Sequence, residues 1–369
     1  MGDRMLGKLP DVMAFDNGGG RVKCAADWQR RRREIIDGAV KLCYGGMPPE
    51  PEYFELRQLC GGGPGKCDSY RIITGTKERQ LSIYLKIYRP ECSGKTPVLL
   101  DGDGCWGYIT SDVINAVRAR GYALAVFDRT EVVRDIWHDP EPRDCPIYEI
   151  YPGLGSGTIA CWAWSILRCV DALTQMECID AENIAVTGHS RGGKTAMLAG
   201  AMDERIKFTQ ANGSGAGGCG CFHYLTLEPE EWQKPCAPER SERVEDLFQN
   251  FPNWLGQDMR QYCGRDGELP FDQHFFKALV APRYFIHTEG YSDVWANPKG
   301  SRLTTLAAQE VYRLLGAEGR IFSHYREGGH FHRLSDFELL LSLMDHIIKG
   351  AELSEEFRQD AFPEMSRYL

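Results

Sequence analysis

The chain has 369 residues, 43% hydrophobic and 26% charged, with 52 Asp and Glu against 43 Lys and Arg for a net charge of −9. That length suits one large α/β domain, residues 1–369, which buries roughly three quarters of its unfolded surface and needs no metal or disulfide staple. The acidic balance argues against nucleic acid or an anionic membrane as partner, and no apolar run approaches the ~18 residues of a membrane span.

The start, Met1-Gly-Asp-Arg-Met-Leu-Gly-Lys-Leu-Pro10, carries no apolar stretch of leader length, so a cytoplasmic protein is expected. Fourteen cysteines are scattered without a Cys-x-x-Cys pair. Cys219, Cys221 and His223, or Cys60 and Cys67, are the nearest approaches to a ligand cluster. Free thiols in a reducing compartment are the expectation, with no metal.

Residues 1–68 read as an approach segment, with a helix over Trp28–Leu42 whose Arg30–Arg33 run forms a solvated face before Glu34 and Asp37. From Tyr70 the pattern becomes regular. Tyr70–Thr74 and Leu81–Tyr88 alternate apolar and polar residues around Gly75-Thr-Lys77 and predict a hairpin. Pro97–Leu100 is a short apolar run before Asp101-Gly-Asp-Gly-Cys-Trp-Gly107. A helix over Ser111–Arg120, a buried strand Tyr122–Phe127 and a loop-rich stretch 128–155 follow. Next come a helix over Thr158–Thr174, strand Ile184–Thr187, a helix from Ser190 and strand Ile206–Gln210. Residues 213–272 are irregular and read as an insertion over the active site. Strand Arg283–Thr288, helix Leu303–Leu315, strand Arg320–Tyr325 and helix Asp336–Ile348 complete the chain. Short apolar strands alternating with helices predict a mostly parallel sheet covered on both faces.

The strongest motif is Ile184-Ala-Val-Thr-Gly-His-Ser-Arg-Gly-Gly-Lys194. A strand runs into Gly188-x-Ser190-x-Gly192 and then into an Ala/Leu-rich helix, the context of a nucleophile elbow. The tight turn projects Ser190 Oγ from the sheet, and the helix N-terminus behind it offers N–H groups to an oxyanion. A nucleophilic serine needs a base and an orienting carboxylate. In α/β-hydrolases these follow in the order Ser, Asp or Glu, His, from loops after later strands. Strand Arg283–Thr288 runs into Glu289-Gly-Tyr-Ser-Asp293, which offers Asp293 first and Glu289 as the alternative. Strand Arg320–Tyr325 runs into Arg326-Glu-Gly-Gly-His330-Phe-His332. His330 directly follows the Gly-Gly bend and is preferred over His332.

Arg191 and Lys194 sit in the first helical turn after Ser190, where the macrodipole disfavours cations. They predict a positive pocket beside the nucleophile, Arg191 presenting a planar fork to a carboxylate or oxyanion and Lys194 bonding ligand hydroxyls. The second oxyanion donor is expected from the Cys105–Trp106 backbone, and Trp254 offers a face for a sugar. Gly213-Ser-Gly-Ala-Gly-Gly218 matches a dinucleotide fingerprint but is not followed by an amphipathic helix, so no cofactor is expected. Asn212-Gly-Ser214 is a glycosylation sequon, idle without secretion.

These residues resemble the glucuronoyl esterases, carbohydrate esterases with the α/β-hydrolase fold. Gly-His-Ser190-Arg-Gly-Gly-Lys194 is similar to that family's Gly-x-Ser-Arg-x-Gly-Lys. Leu9-Pro-Asp-Val-Met-Ala-Phe, Ser214-Gly-Ala-Gly-Gly, Asn250-Phe-Pro-Asn-Trp, Leu269-Pro-Phe-Asp-Gln-His, Asp293-Val-Trp-Ala-Asn-Pro and Tyr312-Arg-Leu-Leu-Gly also recur there in order. The resemblance implies Ser190 as nucleophile, His330 as base, Arg191 at the oxyanion, and Lys194 and Trp254 on the glucuronate. Trp106 is a further candidate for substrate binding. In many members the acid is a Glu just before Ser-Gly-Ala-Gly-Gly, where Gly213 stands here. Some bacterial members use the Asp that corresponds to Asp293. The implied activity is hydrolysis of esters of glucuronic acid or its 4-O-methyl ether, such as those joining xylan to lignin alcohols. The implied partner is a small-molecule or oligosaccharide uronate ester. An acetyl esterase of acetylated sugars is the rival, and a silent sugar-acid-binding protein the third reading.

Overall fold

A computed structural model describes residues 2–139, 142–229 and 240–369. Residues 230–239, part of the expected 213–272 insertion, lie outside the described residues. In chain order the main elements are α1 (Ala25–Ile35), β1 (Tyr53–Cys60), β2 (Cys67–Gly75), β3 (Gln80–Tyr88) and β4 (Thr96–Asp101). They continue with α2 (Ser111–Ala119), β5 (Ala123–Phe127), α3 (Thr158–Thr174), β6 (Ile179–Thr187) and α4 (Arg191–Met202). The last are β7 (Ile206–Asn212), β8 (Tyr284–Gly290), α5 (Pro298–Leu314), β9 (Ile321–Arg326) and α6 (Leu334–Lys349).

The nine strands form one sheet in the order β9-β8-β7-β6-β4-β5-β3-β2-β1. The six from β4 onward run parallel, and β3, β2 and β1 extend the sheet antiparallel from β5. Each parallel strand is apolar on both sides because both sides are covered. Val98, Leu100, Ile184 and Val186 enter the cluster under α3 and α4, while Leu99 and Ala185 between them join the one under α2 and α6. Buried almost all round, α3 lies within the larger of these clusters, which explains its continuous apolar run. Among the described residues no helix is long and apolar enough to cross a membrane.

Four expectations change. The approach segment contributes β1, an edge strand so exposed that its sequence lacks the alternation of a half-buried strand. The Trp28–Leu42 helix begins at Ala25, widens to a π-type turn over Ile36–Val40 and resumes at Lys41–Tyr44. Nor is its arginine run uniformly solvated: Arg31 is 2% exposed, donates to Val12 O at 3.0 Å and pairs with Asp16 and Glu34. Helix α5 also starts earlier than Leu303, because Pro298 takes its first position and the Asn297 side chain accepts the Gly300 N–H at 3.0 Å.

This topology fixes where a site can form. β4 is flanked by β5 on one side and β6 on the other, so the loops leaving Asp101 and Thr187, which are paired neighbours, diverge. Such a switch point opens a crevice at the carboxyl ends of parallel strands. The loops after β4, β5, β6, β7, β8 and β9 all begin at that edge.

Candidate active site

Ser190 stands between β6 and α4 with φ +54° and ψ −118°, a left-handed conformation uncommon for a residue with a Cβ. Strain of this kind costs ~1–3 kcal/mol and persists only where neighbours over-determine it. Here they do. The Ser190 N–H donates to Asn212 O at 2.8 Å, the His189 N–H to Asp103 Oδ2 at 2.7 Å, and the Gly192 N–H to His189 O at 2.7 Å. Only glycine fits at 192, since a Cβ there would collide with the Asp103 carboxylate.

The loops after β8 and β9 bring Asp293 and His330 together, His330 Nδ1 donating to Asp293 Oδ2 at 2.6 Å. Glu289 is directed elsewhere. It lies buried on β8 on the same side as His287, and burial pushes the Glu289 carboxyl well up and the His287 imidazole well down, so both are neutral. His287 Nδ1–H donates to Ala211 O at 3.1 Å, and the protonated Glu289 donates to His287 Nε2 at 2.8 Å. His332 is buried with its ring stacked on Phe337 at 3.9 Å, and burial drives its pKa well below the usual range. Gly213 adopts φ +48°, and a Cβ built there lies 3.4 Å from His330 Nδ1 and 3.5 Å from Asp293 Oδ2. A carboxylate carried at 213 would therefore compete for the place Asp293 fills.

His189, unassigned from the sequence, packs its ring 4.5 Å from that of His330 and donates through Nδ1 to Asn212 Oδ1 at 2.5 Å. Burial, reinforced by His330, lowers its pKa to about 3. Burial likewise lowers His274 to about 4. Both are neutral in the fold, whereas an unfolded imidazole takes up its proton near pH 6.5. Stability is therefore complete above that pH and lost as pH falls toward 3–4, by roughly 3 kcal/mol per histidine at pH 4. Calorimetric melting between pH 7 and 4 should show a steadily falling Tm; an unchanged Tm would contradict the neutral assignments.

Ser190, Arg191, Lys194, Glu242, Trp295 and His330 line one cavity of about 210 Å3, with Phe251 and Trp254 beneath them. Arg191 Nη1 donates to Asp135 Oδ1 at 2.9 Å, and its guanidinium lies 5.1, 4.8 and 4.7 Å from the rings of Trp106, Phe251 and Trp254. Lys194 is buried, and its three N–H donors go to Ser214 O at 2.8 Å, to Ala216 O and to Glu242 Oε2 at 3.2 Å. Both cations reach the cavity, but each has its own carboxylate, so the expected positive pocket is charge-balanced. Lys194 offers the cavity a pinned Glu242 and has no donor left over for ligand hydroxyls. Trp254 is buried with Phe251 stacked on it at 3.7 Å, and it serves chiefly as a platform for the cations. Trp295, in the cavity wall, is only half-buried, and Trp106, beside Arg191 at the cavity's edge, is 48% exposed, so each has an aromatic face accessible to a ligand.

In the loop after β4, the Trp106 N–H is committed to Asp103 O at 2.9 Å, while the Cys105 and Arg191 N–H groups bond to no other described residue. The candidate oxyanion donors are thus Cys105 and Arg191, without Trp106. Asp135, Glu242 and Trp295 were missed in the sequence. The one signal for the first two was two cations at a helix N-terminus, which require carboxylates nearby. Among the described residues no group of three His, Cys, Asp or Glu side chains is arranged to hold a metal ion. Cys221 and His223 instead donate to Asp272, at 3.0 and 2.7 Å. The sequon residue Asn212 is buried at the end of β7, where its side chain bonds His189 and Thr288.

A family profile described as "Glucuronyl esterase, fungi" matches residues 72–316. The carbohydrate esterase MZ0003, from an unknown prokaryotic organism, is 33% identical, the match covering 93% of this chain and 90% of that one. The 4-O-methyl-glucuronoyl methylesterase of Podospora anserina is 29% identical over 90% of this chain, which spans 65% of that relative's length. Among solved structures, a carbohydrate esterase family 15 glucuronoyl esterase from Caldicellulosiruptor kristjansonii is similar with a TM-score of 0.83 at 28% identity. That match covers 97% of this chain and 95% of the other.

Proposed function

This chain belongs to the glucuronoyl esterase family, carboxylic ester hydrolases with the α/β-hydrolase fold, and from that premise we propose that it hydrolyses esters of glucuronic acid or its 4-O-methyl ether through a Ser190-His330-Asp293 triad. The observation that carries this reading is the single cavity shared by the strained Ser190, the Asp293-bound His330 and the Asp135-bound Arg191. Ser190 Oγ attacks the ester carbonyl as His330 Nε2 takes its proton. Asp293 holds the Nδ1–H tautomer and stabilises the imidazolium. The tetrahedral oxyanion is met by the Arg191 guanidinium and by the N–H groups of Arg191 and Cys105. His330 then protonates the departing alcohol, and water attacks the acyl-enzyme by the same route in reverse. Lys194 and Glu242 form the polar wall for the sugar, and Trp295 and Trp106 its aromatic faces. The substrate is a small uronate ester or an oligosaccharide that bears one.

The test is release of benzyl alcohol from benzyl glucuronate. Arg191→Ala should lower kcat by ~10²–10³, the usual cost of losing an oxyanion partner, with a smaller change in KM. Folded wild-type protein that releases no alcohol would overturn the reading.

A further inference from the structure

The charges around the cavity do more than hold Arg191 in place. The Asp135 side chain is 3% exposed and lies between two guanidiniums, accepting from Arg191 Nη1 at 2.9 Å and pairing with Arg129 Nη2 at 3.3 Å. Arg129 is itself paired with Asp103, which also accepts the His189 N–H. The row Asp103–Arg129–Asp135–Arg191 thus ties the loops after β4, β5 and β6 together, and it carries no net charge. Lys194 is likewise cancelled by Glu242. With Asp293 added, the carboxylates Asp135, Glu242 and Asp293 around the cavity outnumber the cations Arg191 and Lys194 by one.

That balance matters because an ester hydrolase of this kind binds a neutral ester and must let go of an anion. An unpaired arginine beside the serine would grip the uronate product as firmly as it stabilises the oxyanion. We propose that Asp135 is a positioning and charge-balancing residue: it fixes the Arg191 fork over Ser190 and cancels its charge, so the cavity accepts the ester and expels the acid. The oxyanion still gains from Arg191, because its charge develops within hydrogen-bond reach of a fork already in place, whereas a planar product carboxylate meets the field of the whole cluster. The inference rests on the esterase reading of the cavity and adds to it a basis for product release.

The test compares D-glucuronate with its neutral isostere D-glucuronamide, by calorimetry on the wild-type protein and as inhibitors of benzyl glucuronate hydrolysis. Wild-type protein should bind glucuronate no more tightly than glucuronamide, since the cation the acid could use is already neutralised. Asp135→Asn keeps an acceptor for Arg191 but removes the charge, and should tighten glucuronate binding about tenfold while leaving glucuronamide unchanged. Its kcat should also fall, and Asp135→Glu should restore the wild-type preference. A wild-type protein that binds glucuronate far more tightly than glucuronamide, or neither measurably, would overturn the proposal without any variant. So would an Asp135→Asn protein with unchanged glucuronate affinity. The binding arm reads Asp135 even if the wild type proves to hydrolyse no uronate ester, an outcome that would instead sink the functional reading.

Discussion

Replacing Ser190 with alanine is expected to lower kcat on a glucuronate ester by ~10⁵–10⁶, the loss seen when a triad nucleophile is removed. The variant has no Oγ to acylate, and the remaining oxyanion donors can only assist direct attack by water. Stability should change little, because the turn is held by backbone bonds and by Asp103 rather than by the hydroxyl. Triad members act as a unit, so adding His330→Ala to Ser190→Ala should cost almost nothing further. Steady-state kinetics beside a melting curve separates the two effects. Activity of the purified variant within tenfold of wild type would place the nucleophile elsewhere.

The second large effect distinguishes two neighbouring carboxylates, Glu289 on β8 and Asp293 in the loop after it. Asp293→Asn should lower kcat by ~10⁴, because an amide N–H facing His330 Nδ1 favours the tautomer that cannot take the serine proton. Glu289→Gln should cost less than about tenfold, since Glu289 is protonated and donates to His287, and a Gln N–H can donate in its place. The asymmetry follows from geometry: Asp293 Oδ2 is 2.6 Å from His330, whereas Glu289 is directed to His287 in the interior. Equal losses from both substitutions would contradict the assignment, and a larger loss from Glu289→Gln would reverse it.

The fold was legible where burial imposed a pattern. Strands covered on both faces read as apolar runs, and their alternation with helices was enough to predict a parallel sheet and to place Ser190, Asp293 and His330 at its carboxyl edge. Strand β1 was not legible, because an exposed antiparallel edge puts no periodic demand on side chains. The partners of Arg191 and Lys194 were hidden for a related reason. Asp135 and Glu242 come from loops that share no spacing with the helix they serve, and only folding brings them within 2.9 and 3.2 Å. The sequence therefore suggested two free cations where the structure has two ion pairs. Trp295 lies within Asp293-Val-Trp-Ala, a motif that resembles the family's, yet nothing in that motif tells that its ring lines the cavity.

The most direct test of the central assignment is kcat/KM on benzyl glucuronate against acetylated xylose, for wild-type protein and Arg191→Ala. The uronate ester should be the better substrate, and Arg191→Ala should selectively impair it. Faster acetate release that is indifferent to Arg191 would contradict the assignment and point to a sugar acetyl esterase.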